Sequence, residues 1–228
     1  MKNQPHLSAR PGELAPRGAA GPVGLHTLPV GGKRDSYVYV PPSYTPDVPM
    51  PLVLLLHGAG GHAHDGMRIF LHLADQEGLI LVAPASSGTT WDIISKRTYG
   101  ADVELVDAAL AHVFANFAIN PDRLAVGGFS DGASYALTLG LANGDLFTHV
   151  IAFSPGFIGP MQTSGDPKVF ISHGTDDEVL PVNPCSRSIV KQLRRLEYTL
   201  VYDEFEGGHV IPPEVAKFAL DWFMGRIE

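Results

Sequence analysis

The alternation of short apolar segments with longer segments of helical periodicity is the feature that most constrains the fold of this 228-residue chain. From residue 52 onward, predicted strands and helices follow one another in turn. In the predicted helix 102–117, apolar residues recur every three or four positions. The strands are apolar along their whole length, which is typical of a parallel sheet covered by helices on both faces. The sequence therefore predicts an α/β fold.

Eight strands and five helices are predicted from these patterns. The predicted strands cover residues 25–28, 36–40, 52–56, 79–83, 124–129, 149–153, 168–172 and 199–205. The predicted helices cover residues 65–77, 102–117, 131–143, 185–196 and 213–225. No helix is predicted between the first two strands, so we expect them to form an antiparallel edge. We interpret residues 1–22, rich in Pro, Gly and Ala, as a loosely ordered extension, and residues 23–228 as one α/β domain.

Composition narrows the possible partners and location. The 24 acidic and 16 basic residues give a net charge of −8, so nucleic acid is not an expected partner. The longest apolar run, at 51–56, is too short to span a bilayer, and no stable membrane insertion is expected. The N-terminus lacks the continuous apolar segment of a secretory signal, and the single Cys185 suits a reducing compartment, which together predict a cytoplasmic protein. The sequence leaves open whether the chain is a monomer or a dimer.

Three kinds of polar side chain follow predicted strands. Ser130 comes directly after strand 124–129, two adjacent aspartates follow strand 168–172, and His209 follows strand 199–205. In parallel sheets, ligands bind outside the carboxyl ends of the strands. We therefore expect a hydroxyl, a carboxylate and an imidazole at one edge of the sheet.

Ser130 stands in the sequence GFSDG, where a strand gives way to a helix. A serine hydroxyl is a poor nucleophile until a neighbouring base removes its proton. A sharp strand-to-helix turn exposes the side chain to such a base, and Gly128 and Gly132 leave room for that turn. The pattern predicts that Ser130 is a nucleophile.

Two backbone amides are predicted to stabilise an oxyanion. The N–H of Asp131 lies at the start of the helix that follows the turn. A second donor is expected from the HGAGG loop after strand 52–56, with Ala59 as the first choice and Gly60 as the second.

The base is predicted to be His209, in the Gly-rich loop before the last helix. His57 and His173 each begin an HG pair at a strand end, and we interpret them as loop-bracing residues. The carboxylate that orients the base is expected from the loop after strand 168–172, where Asp176 and Asp177 are adjacent; Asp177 is preferred.

No metal or other cofactor is expected. His62 and His64 could be read as a pair of metal ligands, but the sequence offers no third ligand near them. We interpret both as solvated loop residues.

With these residues, the chain resembles the α/β-hydrolase superfamily, whose triad follows the order nucleophile, acid, base. It is most similar to the phospholipase/carboxylesterase group, which includes bacterial carboxylesterases and acyl-protein thioesterases. The motifs are LLLHGAGG, GFSDG, HGTDDEVLPV and GGHVIPPE, and the resemblance spans residues 34–225. It implies a mostly parallel central sheet of about eight strands with helices on both faces. It also implies the roles already assigned to Ser130, Asp177, His209 and the amides of Ala59 and Asp131.

One residue departs from the group's pattern. Its members usually carry Gln after the nucleophile, and relatives often carry Asn, whereas this chain has Asp131. If the carboxylate turns inward, its charge disfavours an oxyanion.

The segment 154–167, between the sixth and seventh strands, is too short for a helical lid. We expect an open site, with walls formed by residues 86–100 and by Phe157, Ile158 and Leu180. Trp91 either lines the substrate pocket or only fixes its loop to the core.

The function predicted from the sequence is a serine carboxylester hydrolase that forms an acyl-enzyme on short-chain or otherwise soluble esters. An acyl thioesterase or a lysophospholipase would use the same site. A ligand-binding protein that retains the hydrolase fold without turnover is the alternative from another class. The expected partner is a small-molecule ester.

Overall fold

A sheet of eight strands runs through the centre of the molecule in the computed structural model, which describes residues 4–12 and 21–227. The strands are β1 (Gly24–Leu28), β2 (Ser36–Val40), β3 (Met50–Leu56), β4 (Ile80–Ala83), β5 (Ile119–Phe129), β6 (His149–Phe153), β7 (Lys168–Gly174) and β8 (Leu200–Phe205). The α-helices are α1 (Ala63–Met67), α2 (Leu71–Glu77), α3 (Asp92–Ser95), α4 (Ala101–Asn116), α5 (Asp131–Ala142), α6 (Ser188–Arg195) and α7 (Pro213–Phe223), and a π-helical segment, Asn183–Arg187, leads directly into α6.

The strand order across the sheet is β1-β2-β4-β3-β5-β6-β7-β8. β1 and β2 pair antiparallel, as predicted, and β2 pairs antiparallel with β4, whereas all other pairs are parallel. The chain leaves β3 towards β4 on one side and later returns to β5 on the other. This reversal opens a crevice between the loops after β3 and β5, which is where open α/β sheets bind ligands.

Both faces of the sheet are covered, which explains why the strands lack a polar face. In β3, Leu52, Leu54 and Leu56 point into the core beneath α4, α5 and α6. Val53 and Leu55 point into the opposite core beneath α1, α2 and α7. A central strand buried on both sides needs apolar residues at every position.

Two helical predictions need correction. The segment 65–77 is not one helix, because the chain leaves the helical conformation at Phe70 (φ −125°, ψ 0°) and α2 begins afresh. The buried Phe70 ring packs 6.1 Å from Phe153 of β6 on the same face of the sheet, a contact that local periodicity does not encode. The second is an omission, since the four-residue helix α3 was not predicted.

The described part of the N-terminal segment, residues 4–12, packs against the domain. The Leu7 side chain is buried, and its amide donates to Asn143 Oδ1 at 2.8 Å. The amides of Ser8 and Ala9 both donate to the carboxylate of Asp107 at 2.8 Å. These contacts differ from the loosely ordered extension expected over 1–22; residues 1–3 and 13–20 lie outside the described residues.

Within the described ranges, no helix combines the length and the apolar composition that a bilayer span requires.

Candidate active site

The turn at Ser130 joins β5 directly to α5. Ser130 has φ 57° and ψ −119°, a conformation that residues other than glycine rarely adopt. Its amide donates to the carbonyl of Phe153 at 2.9 Å, which fixes the turn to the end of β6. Backbone strain of this kind persists only where the surrounding structure holds it, and it is concentrated at functional sites.

The flanking glycines are required by close packing. A Cβ atom at Gly132 would lie 2.1 Å from the carbonyl oxygen of Leu56, and one at Gly128 would lie 2.6 Å from the Gly132 carbonyl. Both separations are far inside van der Waals contact. The next loop is also close, since a Cβ at Gly58 would lie 3.5 Å from Ser130 Cβ. The glycines therefore let the turn pack against the end of β3.

Ser130, His209 and Asp177 form a continuous chain of hydrogen bonds. His209 Nε2 lies 2.8 Å from Ser130 Oγ, and His209 Nδ1 lies 2.6 Å from Asp177 Oδ2. Because a carboxylate can only accept, the imidazole donates its Nδ1–H to Asp177, and Nε2 is left to accept the serine proton. The three side chains predicted from separate motifs lie together at one edge of the sheet.

The carboxyl of Asp177 is held from two sides. Oδ2 faces His209, and Oδ1 accepts from the amides of Val179 at 2.9 Å and Leu180 at 2.8 Å. Burial raises the pKa of this carboxyl, but these hydrogen bonds outweigh burial and leave the pKa below its ordinary value. Asp177 is 5% exposed, whereas Asp176 faces solvent. Of the two adjacent aspartates, only Asp177 reaches the imidazole.

His173 supports the acid from behind. Its buried Nε2 lies 2.7 Å from the carbonyl of Leu180 and 3.1 Å from Asp177 Oδ2, and its Nδ1 lies 2.7 Å from Ser186 Oγ. Burial lowers the pKa of His173, so the ring is neutral at pH 7 and donates Nε2–H towards these acceptors. These contacts agree with the loop-bracing role inferred from the sequence.

The backbone amides near Ser130 differ in whether they are free to donate a hydrogen bond to an oxyanion. The amide of Gly60 donates to the Thr89 carbonyl at 2.7 Å and is therefore occupied. Within the part of the chain that the structure describes, the exposed Ala59 amide donates to no main-chain carbonyl. Asp131 is the first residue of α5, where amides have no acceptor inside the helix. This arrangement favours Ala59 over Gly60 as the second donor.

Arg34, between β1 and β2, holds two loops of the site together. Its guanidinium donates to the carbonyl of Gly88 at 2.6 Å and to Ser86 Oγ at 3.1 Å. It also donates to the carbonyl of Gly61, and it lies 2.7 Å from His62 Nδ1. Sequence reasoning missed Arg34, because nothing in GGKRDS indicates contacts with residues 27 to 54 positions away.

Trp91 lies in the core and does not line an open pocket. Its side chain is 0% exposed, and its ring packs 4.8 Å from His57 and 5.0 Å from Tyr135. The indole N–H donates to the His57 carbonyl at 2.9 Å. The substrate-binding assignment is thus corrected to the other role considered, that of fixing the 86–100 loop to the core. The His57 ring accepts from the Ser86 amide at 3.0 Å, which braces the same loop.

The carboxylate of Asp131 turns towards the loop after β4. Its Oδ2 accepts a hydrogen bond from Thr90 Oγ1 at 2.6 Å. The side chain that departs from the family pattern therefore has a fixed partner next to the nucleophile.

The other three residues predicted to form the walls of the site do not line one common pocket. Phe157 is 36% exposed, and Leu180 is half-buried next to the backbone of Gly156. Ile158 instead lines a groove against α6, and Ser130, Asp177 and His209 are not among the residues that line it. The segment 154–167 contains no helix, in agreement with the predicted absence of a helical lid.

The two histidines considered as metal ligands have other neighbours. His62 Nδ1 faces the Arg34 guanidinium, and the His64 ring lies 4.1 Å from the Tyr37 ring. Among residues 4–12 and 21–227, no three His, Cys, Asp or Glu side chains are grouped so that they could hold a metal ion.

Similar structures share this architecture over nearly the whole chain. A ferulic acid esterase from Anaeromyces mucronatus, solved with ferulic acid, superposes with a TM-score of 0.66 at 19% identity, covering 94% of this chain and 96% of that one. An S-formylglutathione hydrolase from Staphylococcus aureus gives a TM-score of 0.71 at 18% identity, with coverage of 92% and 99%. At these identities the likeness establishes the fold, which is that of the α/β-hydrolases.

Sequence comparison identifies the family. A probable feruloyl esterase C from Aspergillus flavus is 29% identical over 166 residues, which cover 69% of this chain. The match spans 59% of that longer protein. Residues 92–222, more than half of the chain, match the model of the phospholipase/carboxylesterase family. The chain is therefore a member of the phospholipase/carboxylesterase family of α/β-hydrolases.

Proposed function

We propose that this protein is a serine carboxylester hydrolase in which Ser130, His209 and Asp177 form the catalytic triad. The observation that carries the proposal is the chain of hydrogen bonds from Ser130 Oγ through His209 to Asp177, at 2.8 and 2.6 Å. Nucleophile and base within hydrogen-bond reach, with the base oriented by a third group, are the requirements for activating a serine.

In the proposed reaction, His209 Nε2 takes the proton of Ser130 as Oγ attacks the ester carbonyl carbon. The amides of Ala59 and Asp131 stabilise the resulting oxyanion. His209 then gives the proton to the departing alcohol, and the carbon–oxygen bond to that alcohol breaks. A water molecule, deprotonated by His209, hydrolyses the acyl-enzyme and restores Ser130. Asp177 remains ionised and holds the imidazole in the required tautomer.

The proposed substrates are small, soluble esters. The segment 154–167 has no helix to cover the site, and Phe157 is 36% exposed. The names of sequence relatives, a probable feruloyl esterase and a bifunctional acetylxylan esterase/xylanase, support acetyl and hydroxycinnamoyl esters as the classes to test.

Hydrolysis of p-nitrophenyl esters from acetate to palmitate, together with methyl ferulate and matched thioesters, tests this proposal. We expect kcat/KM to be highest for acetate to butyrate and to fall steeply for longer chains. Preference for palmitate, for thioesters over oxygen esters, or the absence of any turnover would contradict it.

Replacing Asp131 by Asn is expected to raise kcat for p-nitrophenyl acetate by about threefold, because it removes a negative charge beside the developing oxyanion. The amide oxygen of Asn can still accept from Thr90 Oγ1, so the local structure is kept. Asp166→Asn, which removes the same charge from an exposed loop, is the control and should leave kcat unchanged. A fall in kcat for Asp131→Asn would show that the carboxylate helps the reaction.

Replacing Arg34 by Gln is expected to lower kcat by about tenfold with little change in KM. Loss of one oxyanion donor costs about a hundredfold or more in rate. The effect should be smaller here because the variant keeps the Ala59 amide and only loosens the loop that carries it. Arg34→Lys should recover part of the loss. The neighbouring Lys33→Gln is the control, because Lys33 is exposed. Equal effects of Lys33→Gln and Arg34→Gln would contradict a positioning role for Arg34.

A further inference from the structure

A groove with a volume of about 420 Å³ adjoins the side chain of His209. Ile69, Phe129 and Ile211 give it a largely apolar lining. The ring of Phe129 lies 4.6 Å from the imidazole ring of His209, so the base forms one wall of the groove. The volume falls in the range of small-molecule sites.

The lining of the groove also carries charge, positive at Arg68 and negative at Asp65. Arg68 lies there with 79% of its side chain exposed, and its guanidinium is 4.0 Å from the carboxylate of Asp65. That carboxylate also accepts from the His62 amide at 2.7 Å, at the start of α1. The long and weakly held Arg68 side chain is therefore able to turn towards a bound anion.

The chemistry of acylation decides which half of an ester faces this groove. When the bond between Ser130 Oγ and the carbonyl carbon forms, the bond from that carbon to the alcohol oxygen must break. The electron pair leaves with the alcohol oxygen, which receives its proton from His209 Nε2. The alcohol half of the substrate must therefore lie beside His209, whereas the carbonyl oxygen faces the amides of Ala59 and Asp131.

We propose that the His209 groove binds the alcohol half of the ester, and that it favours an apolar, ring-sized alcohol with an anionic group at its far end, next to Arg68. This inference rests on the proposed esterase function and adds to it the chemical class of the leaving group. The apolar lining contacts the ring, and Arg68 pairs with a carboxylate at the solvent end.

Acetate esters that differ only in the alcohol test this assignment, because they all form the same acyl-enzyme. The probes are phenyl acetate, 4-carboxyphenyl acetate and 4-(trimethylammonio)phenyl acetate. Arg68→Glu should lower kcat/KM for the carboxylate probe and raise it for the ammonium probe, each by about threefold relative to phenyl acetate. Because kcat/KM of the variant is divided by that of the wild type for the same ester, the intrinsic reactivity of each ester cancels. Arg195→Gln, on the exposed face of α6, is the control and should leave both ratios unchanged.

Methyl hydrogen terephthalate carries its carboxylate on the acyl half and separates the two possible orientations. We expect Arg68→Glu to leave its hydrolysis and the rate of deacetylation unchanged. If Arg68→Glu alters kcat/KM for the terephthalate ester and not for the aryl acetates, the groove binds the acyl half and the proposal is overturned. Unchanged ratios for every probe in an active enzyme overturn the proposal while the esterase function stands. No hydrolysis of phenyl acetate by the wild type would overturn both.

Discussion

Replacing Ser130 by Ala is expected to lower kcat for p-nitrophenyl acetate by about five orders of magnitude, to the level left by substrate binding and oxyanion stabilisation alone. The hydroxyl lies 2.8 Å from His209 Nε2, within hydrogen-bond reach of the proposed base. Its removal leaves the backbone hydrogen bond of residue 130 to Phe153 intact, so the melting temperature should change little. Steady-state kinetics and thermal unfolding of the purified variant measure both effects.

Ser154→Ala is a matched control for this experiment. Ser154 also follows a parallel strand, has a positive φ of 50° and is buried. Its hydroxyl has no hydrogen-bond partner among the described residues, and Ser154 is not one of the three proposed catalytic residues. We expect its kcat to match that of the wild type. Comparable losses of kcat in the two variants would mean that Ser130→Ala acts by disturbing the structure and not by removing a nucleophile.

Replacing Asp177 by Asn should lower kcat by about 10⁴-fold, because the amide cannot hold the imidazole as the tautomer that accepts from Ser130. The variant should also be less stable than the wild type at pH 7. The folded-state pKa of Asp177 is lowered, so its ionised form stabilises the fold above the ordinary pKa, and this contribution is lost as the pH falls through the folded-state pKa. The difference in free energy of unfolding should therefore shrink on acidification, as denaturant titrations at pH 7 and in acid would show.

Asp176→Asn makes the same chemical change one position earlier in the chain. Its side chain faces solvent, while its amide donates to the Gly207 carbonyl at 2.9 Å, a bond that Asn retains. We expect wild-type activity from this variant. A large loss in Asp176→Asn, or a small one in Asp177→Asn, would reverse the assignment of the acid.

The sheet could be predicted from the sequence because its strands are short apolar runs, which can be recognised without knowing what they contact elsewhere in the chain. All eight predicted strands are present, but β5 begins at Ile119, five residues before the predicted Leu124. The intervening residues 120–123, NPDR, are polar and lack the signature of a buried strand. They extend the strand at the end of the sheet away from the candidate site.

The proximity of Ser130, Asp177 and His209 could be predicted because each residue follows a strand, and a parallel sheet brings such positions to one edge. Arg34 and the packing of residues 4–12 could not be predicted. Both depend on single hydrogen bonds between a side chain and a backbone group far along the chain. The Arg34 guanidinium donates to the Gly88 carbonyl, and the Asp107 carboxylate accepts from the Ser8 amide. Burial of Trp91 likewise depends on where its loop folds back, which the residue type leaves open.

The most direct test of the account is to treat the wild-type protein with a fluorophosphonate and to locate the adduct by peptide mass spectrometry. We predict one adduct per chain, on Ser130, with ester hydrolysis lost in proportion to the labelled fraction. Ser130→Ala should remain unlabelled, and Ser154→Ala should label as the wild type does. A protein that stays unlabelled, or that is labelled elsewhere while Ser130 stays free and hydrolysis continues, would contradict the claim that Ser130 is the activated nucleophile.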